Sequence, residues 1–87
     1  MADYATELFP NPSTGISTLT FEHEGRGKLS VEIFDLQGKR VFKKGKINFD
    51  TFYKEEINLS NQPSGLYIVE LNLDGKKFTK ELVISKL

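Results

Sequence analysis

The chain has neither cysteine nor tryptophan. Without cysteine there is no disulfide framework and no thiolate metal site, although a disulfide-free domain suits an oxidising or a reducing compartment equally. An excess of one charge is also missing. Twelve Lys and Arg balance twelve Asp and Glu, so composition points to neither nucleic acid nor an anionic membrane as a partner. No apolar run approaches the length of a membrane span, and the N-terminus lacks the basic-then-apolar pattern of a secretory signal. Direct membrane insertion is therefore not expected.

The side chains of catalysis are equally sparse. His23 is the single histidine. It stands between Glu22 and Glu24, which point away from it on a strand, whereas a histidine used as a base has an orienting partner. It reads as a surface residue. No serine sits in a Gly-x-Ser-x-Gly pattern. Glu55 and Glu56 are adjacent, face opposite ways on a strand, and make a poor carboxylate pair for glycoside hydrolysis. The glycine turns around Arg26 and Lys76 lack the Gly-Lys-Ser/Thr ending of a phosphate loop. The expectation is a protein with no catalytic residues, no metal and no cofactor.

What is present is β pattern. Seven Phe, three Tyr and the aliphatics must supply the core of one 87-residue domain, which buries roughly 60% of its unfolded surface. Residues 1–7 read as a linker or expression remnant, polar until Glu7-Leu8-Phe9 starts a short strand. Pro10 and Pro12 end that strand. Ile16–Glu22 alternates, with Leu19 and Phe21 inward, and Gly25-Arg26-Gly27 reads as a turn. Leu29, Val31 and Ile33 share one face of the next strand. Asp35–Lys39 is a hairpin loop with Gly38 in the left-handed position, and Lys44-Gly45-Lys46 reads as a further turn. Phe49, Tyr53, Ile57 and Leu59 share a parity over a strand with a bulge or break near residues 50–54. Pro63 and Gly65 turn the chain into Leu66–Leu71, the most apolar strand, with Tyr67, Val69 and Leu71 inward. Asp74-Gly75 is a hairpin turn. The last strand, Lys76–Ile84, sets Phe78, Leu82 and Ile84 on one face. Lys80 interrupts that face, which suggests a partly covered edge strand. The pattern predicts an all-β, immunoglobulin-like β-sandwich of about seven short antiparallel strands, with a small barrel as the alternative.

Residues alone leave the function at a small binding or structural β domain. The lysine groups Lys43-Lys44-Lys46 and Lys76-Lys77-Lys80 suit strand edges that must resist aggregation; the last group is also a candidate receptor contact. Phe52 lies on the opposite parity from Phe49 and Tyr53 and is expected to be exposed. A carbohydrate-binding module with an aromatic platform and a structural spacer both remain open at this level.

Four segments, taken in order, resemble the C-terminal sorting domain (type A) of proteins exported by the bacterial type IX secretion system. They are Leu8-Phe9-Pro10-Asn11-Pro12-Ser13-Thr14-Gly15, then Val31 through Asp35-Leu36-Gln37-Gly38 to Val41, then Ile57 through Pro63-Ser64-Gly65-Leu66-Tyr67 to Val69, and the ending Lys77–Ile84. Gln62 stands where that family more often has an apolar residue. The resemblance implies a sorting domain over residues 8–87, acting without catalysis as the export address of a covalently fused upstream cargo. It implies as partners the type IX machinery, an outer-membrane receptor or shuttle, and a sortase-like peptidase that cuts before Leu8. It implies passage through the periplasm to the outer membrane, the cell surface or the medium. Pro10, Asn11, Pro12, Gly15, Asp35, Gly38, Pro63, Gly65 and Tyr67 are then expected to form a structural signature. Lys80, Leu82, Val83, Ile84 and Lys86 are expected to serve recognition, by addition of a receptor strand to the terminal strand.

Overall fold

The computed structural model describes residues 4–86; the start of the expected lead-in, residues 1–3, and Leu87 lie outside them. No helix occurs among the described residues. Five strands follow in chain order: β1 Tyr4–Phe9, β2 Ile16–Phe34, β3 Arg40–Asn58, β4 Gly65–Leu73 and β5 Lys76–Ile84. The expected all-β sandwich is present, but with five strands in place of about seven. Two stretches account for the difference. The chain stays extended through Gly25-Arg26-Gly27 and through Lys44-Gly45-Lys46, where the sequence suggests reversals. Glycine and charge there mark bends and bulges inside long strands. β1 also begins earlier than expected, at Tyr4, because it pairs with β2 from Tyr4↔His23 to Phe9↔Thr18.

The bend is a geometric necessity. β2 and β3 each hold 19 residues, which would span roughly 60 Å if straight. The molecule is only 40 Å long. The β2–β3 ribbon folds over where its register shifts between Glu22 and Arg26, beside Gly25 (φ 103) and Thr51 (φ 65). Nothing from Glu22 to Lys28 is buried, so this stretch crosses between layers at no hydrophobic cost. The first half of β2 pairs with β1 and with the second half of β3. Its second half pairs with the first half of β3 and with β4, which carries β5. One continuous sheet thereby becomes two facing layers.

Parity decides what lies between the layers. Leu19 and Phe21 enter from one half of β2, and Leu29, Val31 and Ile33 from the other. Ile57, Leu59, Tyr67, Val69, Leu71, Leu82 and Ile84 complete the core. The inward assignments of Phe49 and of Tyr67, Val69 and Leu71 hold, and Phe52 is exposed as expected. On the β3 side, the two halves of that strand are bridged by polar groups. Lys44 Nζ and the Tyr53 hydroxyl both donate to Glu55 Oε1, at 2.9 and 2.7 Å. The other side, between β1 and β5, is closed differently and carries the features of interest.

Candidate recognition surface

β5 alternates as its sequence demands. Leu82 and Ile84 are each 1% exposed, while Val83 between them is 37% exposed. Lys80 lies exposed on the strand. One edge of β5 pairs with β4 in unbroken register, from Gly65↔Ile84 to Leu73↔Lys76. No strand pairs with its outer edge among the described residues.

That outer edge is nevertheless partly occupied. After β1 the segment Pro10–Ser13 runs alongside it, and Ser13 forms a parallel bridge with Ile84. Proline has no N–H to offer, so the residues between and after the prolines make the bonds. Asn11 Nδ2 donates to the Glu81 carbonyl at 2.8 Å, and the Val83 N–H donates to Asn11 Oδ1 at 2.9 Å. The side-chain amide thus stands in for a peptide unit of a neighbouring strand. Ser13 continues the row: its N–H donates to the Val83 carbonyl at 2.9 Å, and its carbonyl accepts from Ser85 at 2.8 Å. The strap is tied down behind. Ser17 Oγ donates to the Pro10 carbonyl, and the Gly15 N–H donates to Ser13 Oγ. Ser13 and Ser17 are buried.

The remaining signature residues gather at one end of the sandwich. Asp35 organises the β2–β3 loop. Its Oδ1 accepts from the N–H groups of Gln37 and Lys39, each at 2.9 Å, and Gly38 takes the left-handed conformation at φ 85. The Tyr67 hydroxyl donates to the Pro63 carbonyl at 2.6 Å, locking the β3–β4 turn onto β4. Gly65 is the first residue of β4. A cleft of about 230 Å³ lies between loop and turn, lined by Asp35, Pro63, Gly65 and Tyr67 among others. Lys86 reaches the same turn. Its N–H donates to Ser64 Oγ at 2.9 Å, and its ammonium group donates to the Ser60 carbonyl.

The structure therefore divides the expected recognition residues. Lys80, Val83 and Lys86 present side-chain atoms to solvent. Leu82 and Ile84 face the core and cannot offer side chains to a partner of the folded domain. Sequence reasoning gives the Pro-Asn-Pro stretch the role of ending a strand and, through the resemblance, a place in the structural signature. It missed the strap over β5. The available signal was the asparagine held between two residues that lack donors, since its side chain is the stretch's means of imitating a peptide group. Among the described residues, no cluster of three or more His, Asp or Glu side chains could hold a metal.

Electrostatics add a pH dependence on the β3 side. The Lys44 ammonium, followed by the Tyr53 hydroxyl, holds the Glu55 carboxyl below its ordinary value. A lowered carboxyl stabilises the fold above its ordinary value and loses that contribution as pH falls through the lowered one. Tyr53 is raised well above the ordinary phenol value of 10.0, first by burial and then by its bond to Glu55. Tyr67 is raised by burial, with Asp35 adding to the effect. Raised phenols favour the folded state until pH passes the ordinary phenol value, above which stability declines. Thermal melts across pH are therefore expected to fall on both flanks of a neutral plateau. Glu55→Gln should flatten the acid flank and Tyr53→Phe the alkaline one. Unaltered flanks in both variants would contradict this account.

Comparison with known proteins bears on both fold and surface. Residues 7–85 match the family described as secretion system C-terminal sorting domain. No curated protein matches the chain. Among solved structures, the chain is similar to a DUF3244-family protein with an immunoglobulin-like β-sandwich fold from Bacteroides vulgatus. The TM-score is 0.65 at 16% identity, over 97% of this chain and 96% of that one. At that identity the likeness establishes the immunoglobulin-like fold and nothing further.

Proposed function

The chain belongs to the secretion system C-terminal sorting domains of type IX secretion, and from that premise we propose that it directs a fused upstream cargo across the outer membrane without chemistry of its own. The observation that carries this reading is the family match over residues 7–85. The positions of the signature residues support it. Asn11, Asp35 and Tyr67 each hold a joint of the sandwich through hydrogen bonds to backbone, as a recognised shape requires.

In this reading the domain passes through the periplasm and is read by an outer-membrane receptor or shuttle. A sortase-like peptidase removes it, and the cargo stays at the cell surface or enters the medium. A peptidase needs an extended, unpaired substrate. Residues of β1 are paired with β2 from Tyr4 onward, so the cut falls on the N-terminal side of Tyr4. Lys80, Val83 and Lys86 are the side chains open to a receptor, and Leu82 and Ile84 serve by holding β5 in place.

The test is a reporter carrying an N-terminal export signal and this domain at its C-terminus, expressed in a type IX-competent bacterium. The reporter should reach the surface or medium, and should remain in the periplasm of a strain lacking the secretion machinery. Equal release from both strains would sink the proposal.

A further inference from the structure

The cleft between the β2–β3 loop and the β3–β4 turn holds about 230 Å³. That is below the roughly 300–1,000 Å³ of small-molecule pockets, and it suits a single inserted side chain. Leu36, Pro63 and Leu66 give it apolar walls, and Asp35 is the one charged residue that lines it. Both hydrogen bonds that Asp35 accepts go to Oδ1. Its Oδ2 accepts none among the described residues, and its carboxylate forms no ion pair there. The neighbouring cations are engaged elsewhere. Lys86 gives its ammonium group to the Ser60 carbonyl, Arg40 is bonded to Glu32 at 2.9 Å, and Lys39 offers Asp35 its backbone N–H rather than its ammonium group. Gln62 also lines the cleft, and its side-chain amide is unbonded among the described residues.

Beside the cleft, the outer face of the second layer is apolar. Phe34 lies opposite Ile68, and Leu66 opposite Val83. Leu36 at the lip is 68% exposed, and Leu66 belongs to both the strip and the cleft. The rows bordering the strip carry Glu32, Glu70 and Glu81 against Arg40 and Lys43. With Asp35 on one side and Lys39 and Lys86 on the other, the charges around the site balance. The sign of a partner is therefore set by the charge left open inside the cleft, not by a surrounding excess.

We infer that this cleft takes an arginine side chain of the secretion receptor, whose apolar surface then covers the adjoining strip. The inference rests on the sorting reading above and deepens it, placing the contact on side chains of the outer face instead of on the backbone edge of β5. The open carboxylate, in a cleft lined by no cation, selects a positive group. The apolar walls suit the aliphatic stem that carries it. Two separate acceptors, Asp35 Oδ2 and the Gln62 side-chain oxygen, match the planar fork of a guanidinium better than the single point of an ammonium. The strip alongside distinguishes a protein partner from a small free cation, and Val83, one of the side chains open to a receptor, is part of it. Both walls are already fixed, one by the Asp35 bonds within the loop and the other by the Tyr67–Pro63 bond. Binding therefore meets little ordering cost.

L-argininamide, titrated into the isotope-labelled domain, provides the first test. The amide signals of Gly38, Gly65 and Leu66 should shift, and citrullinamide, similar in shape but without the side-chain charge, should leave them in place. Asp35→Asn keeps an oxygen for the N–H groups of Gln37 and Lys39 and removes only the charge. It should weaken argininamide binding and, in the reporter fusion, lower export about tenfold, the scale of one charge-assisted hydrogen bond, at an unchanged melting temperature. Leu36→Ser should also lower export without lowering the melt, whereas Phe52→Ser, at an exposed site on the other layer, should leave export unchanged. A folded Asp35→Asn domain exported at the wild-type level overturns the inference and leaves the sorting role standing. An equal response to argininamide and citrullinamide overturns it too. Should Asp35→Asn unfold, the titration and Leu36→Ser decide, and undiminished export of Leu36→Ser overturns it equally. A dimer in sedimentation that Asp35→Asn dissociates would put a second copy in the cleft and overturn the receptor assignment. A wild-type fusion that is not exported would remove the sorting role and the receptor with it, while the titration still decides what the cleft binds.

Discussion

Leu82→Ala is expected to destabilise the domain by about 2–5 kcal/mol, the cost of deleting a buried leucine and leaving a cavity. Leu82 is 1% exposed and lies opposite Tyr67 in the β4–β5 ladder. A small domain has roughly 5–15 kcal/mol in total, so the loss is a large share of it. For a chain of this size, the melting temperature should fall by about 10–25 °C. Export should fall with it, and expression at a lower temperature, where more of the variant is folded, should recover part of the export. The contrast with surface variants is what makes the measurement useful. Truncating the chain at Leu82 would remove two core residues, Leu82 and Ile84, together with Val83 and Ser85, which anchor the strap. Loss of export in such a truncation would say little about recognition. Leu82→Ala shows how much export is lost through stability alone, and any exposed-edge variant can be scaled against it. A Leu82→Ala domain with an unchanged melt would show that the end of β5 is not part of the cooperative core.

Much of this core was legible in the sequence because strand parity is a strict rule. Leu29, Val31 and Ile33, or Tyr67, Val69 and Leu71, fall on one face in any straight strand, and they are buried. Turn chemistry was equally readable where a reversal needs a particular backbone. Asp74 and Gly75 both take positive φ, as their sequence suggests. What failed was the distinction between a bend and a reversal. Gly25 and the lysines around Gly45 look the same in either case, and only long-range pairing decides between them. Here β2 finds β3 on both sides of its bend, so the strand continues. The strap was hidden for a related reason. Asn11 bonds to Glu81 and Val83, some seventy residues away, and no local pattern encodes that meeting. Burial similarly separated Leu82 and Ile84 from Lys80, Val83 and Lys86, which share a segment but not an environment. A recognition motif read along the chain mixes residues that shape the edge with residues that a partner can touch.

Gly15→Ala tests how the strap is held. Gly15 has φ +137, a conformation side chains rarely adopt, and a Cβ added there would lie 2.8 Å from Ser60 Cα and 3.2 Å from Ser60 N. These are backbone atoms, so no rotamer change relieves the clash. The contact is also bonded, since the Leu59 N–H donates to the Gly15 carbonyl at 2.7 Å. Backbone strain and overpacking together are expected to cost about 2–5 kcal/mol. The clash pushes the strap away from the β3–β4 turn, and the strap in turn holds β5. Amide exchange should therefore rise most at Val83 and Ser85, whose N–H groups donate to Asn11 and Ser13. Amides of β2 at Val31 and Ile33, deep in the second layer, should change only as far as global stability does. Asn11→Ala should raise exchange at Val83 while leaving Gly15 and Ser60 in place, which separates loss of the strap's bond from loss of its anchor. If Gly15→Ala left the Val83 and Ser85 amides as protected as before, the strap would be held by something other than its seat against Ser60.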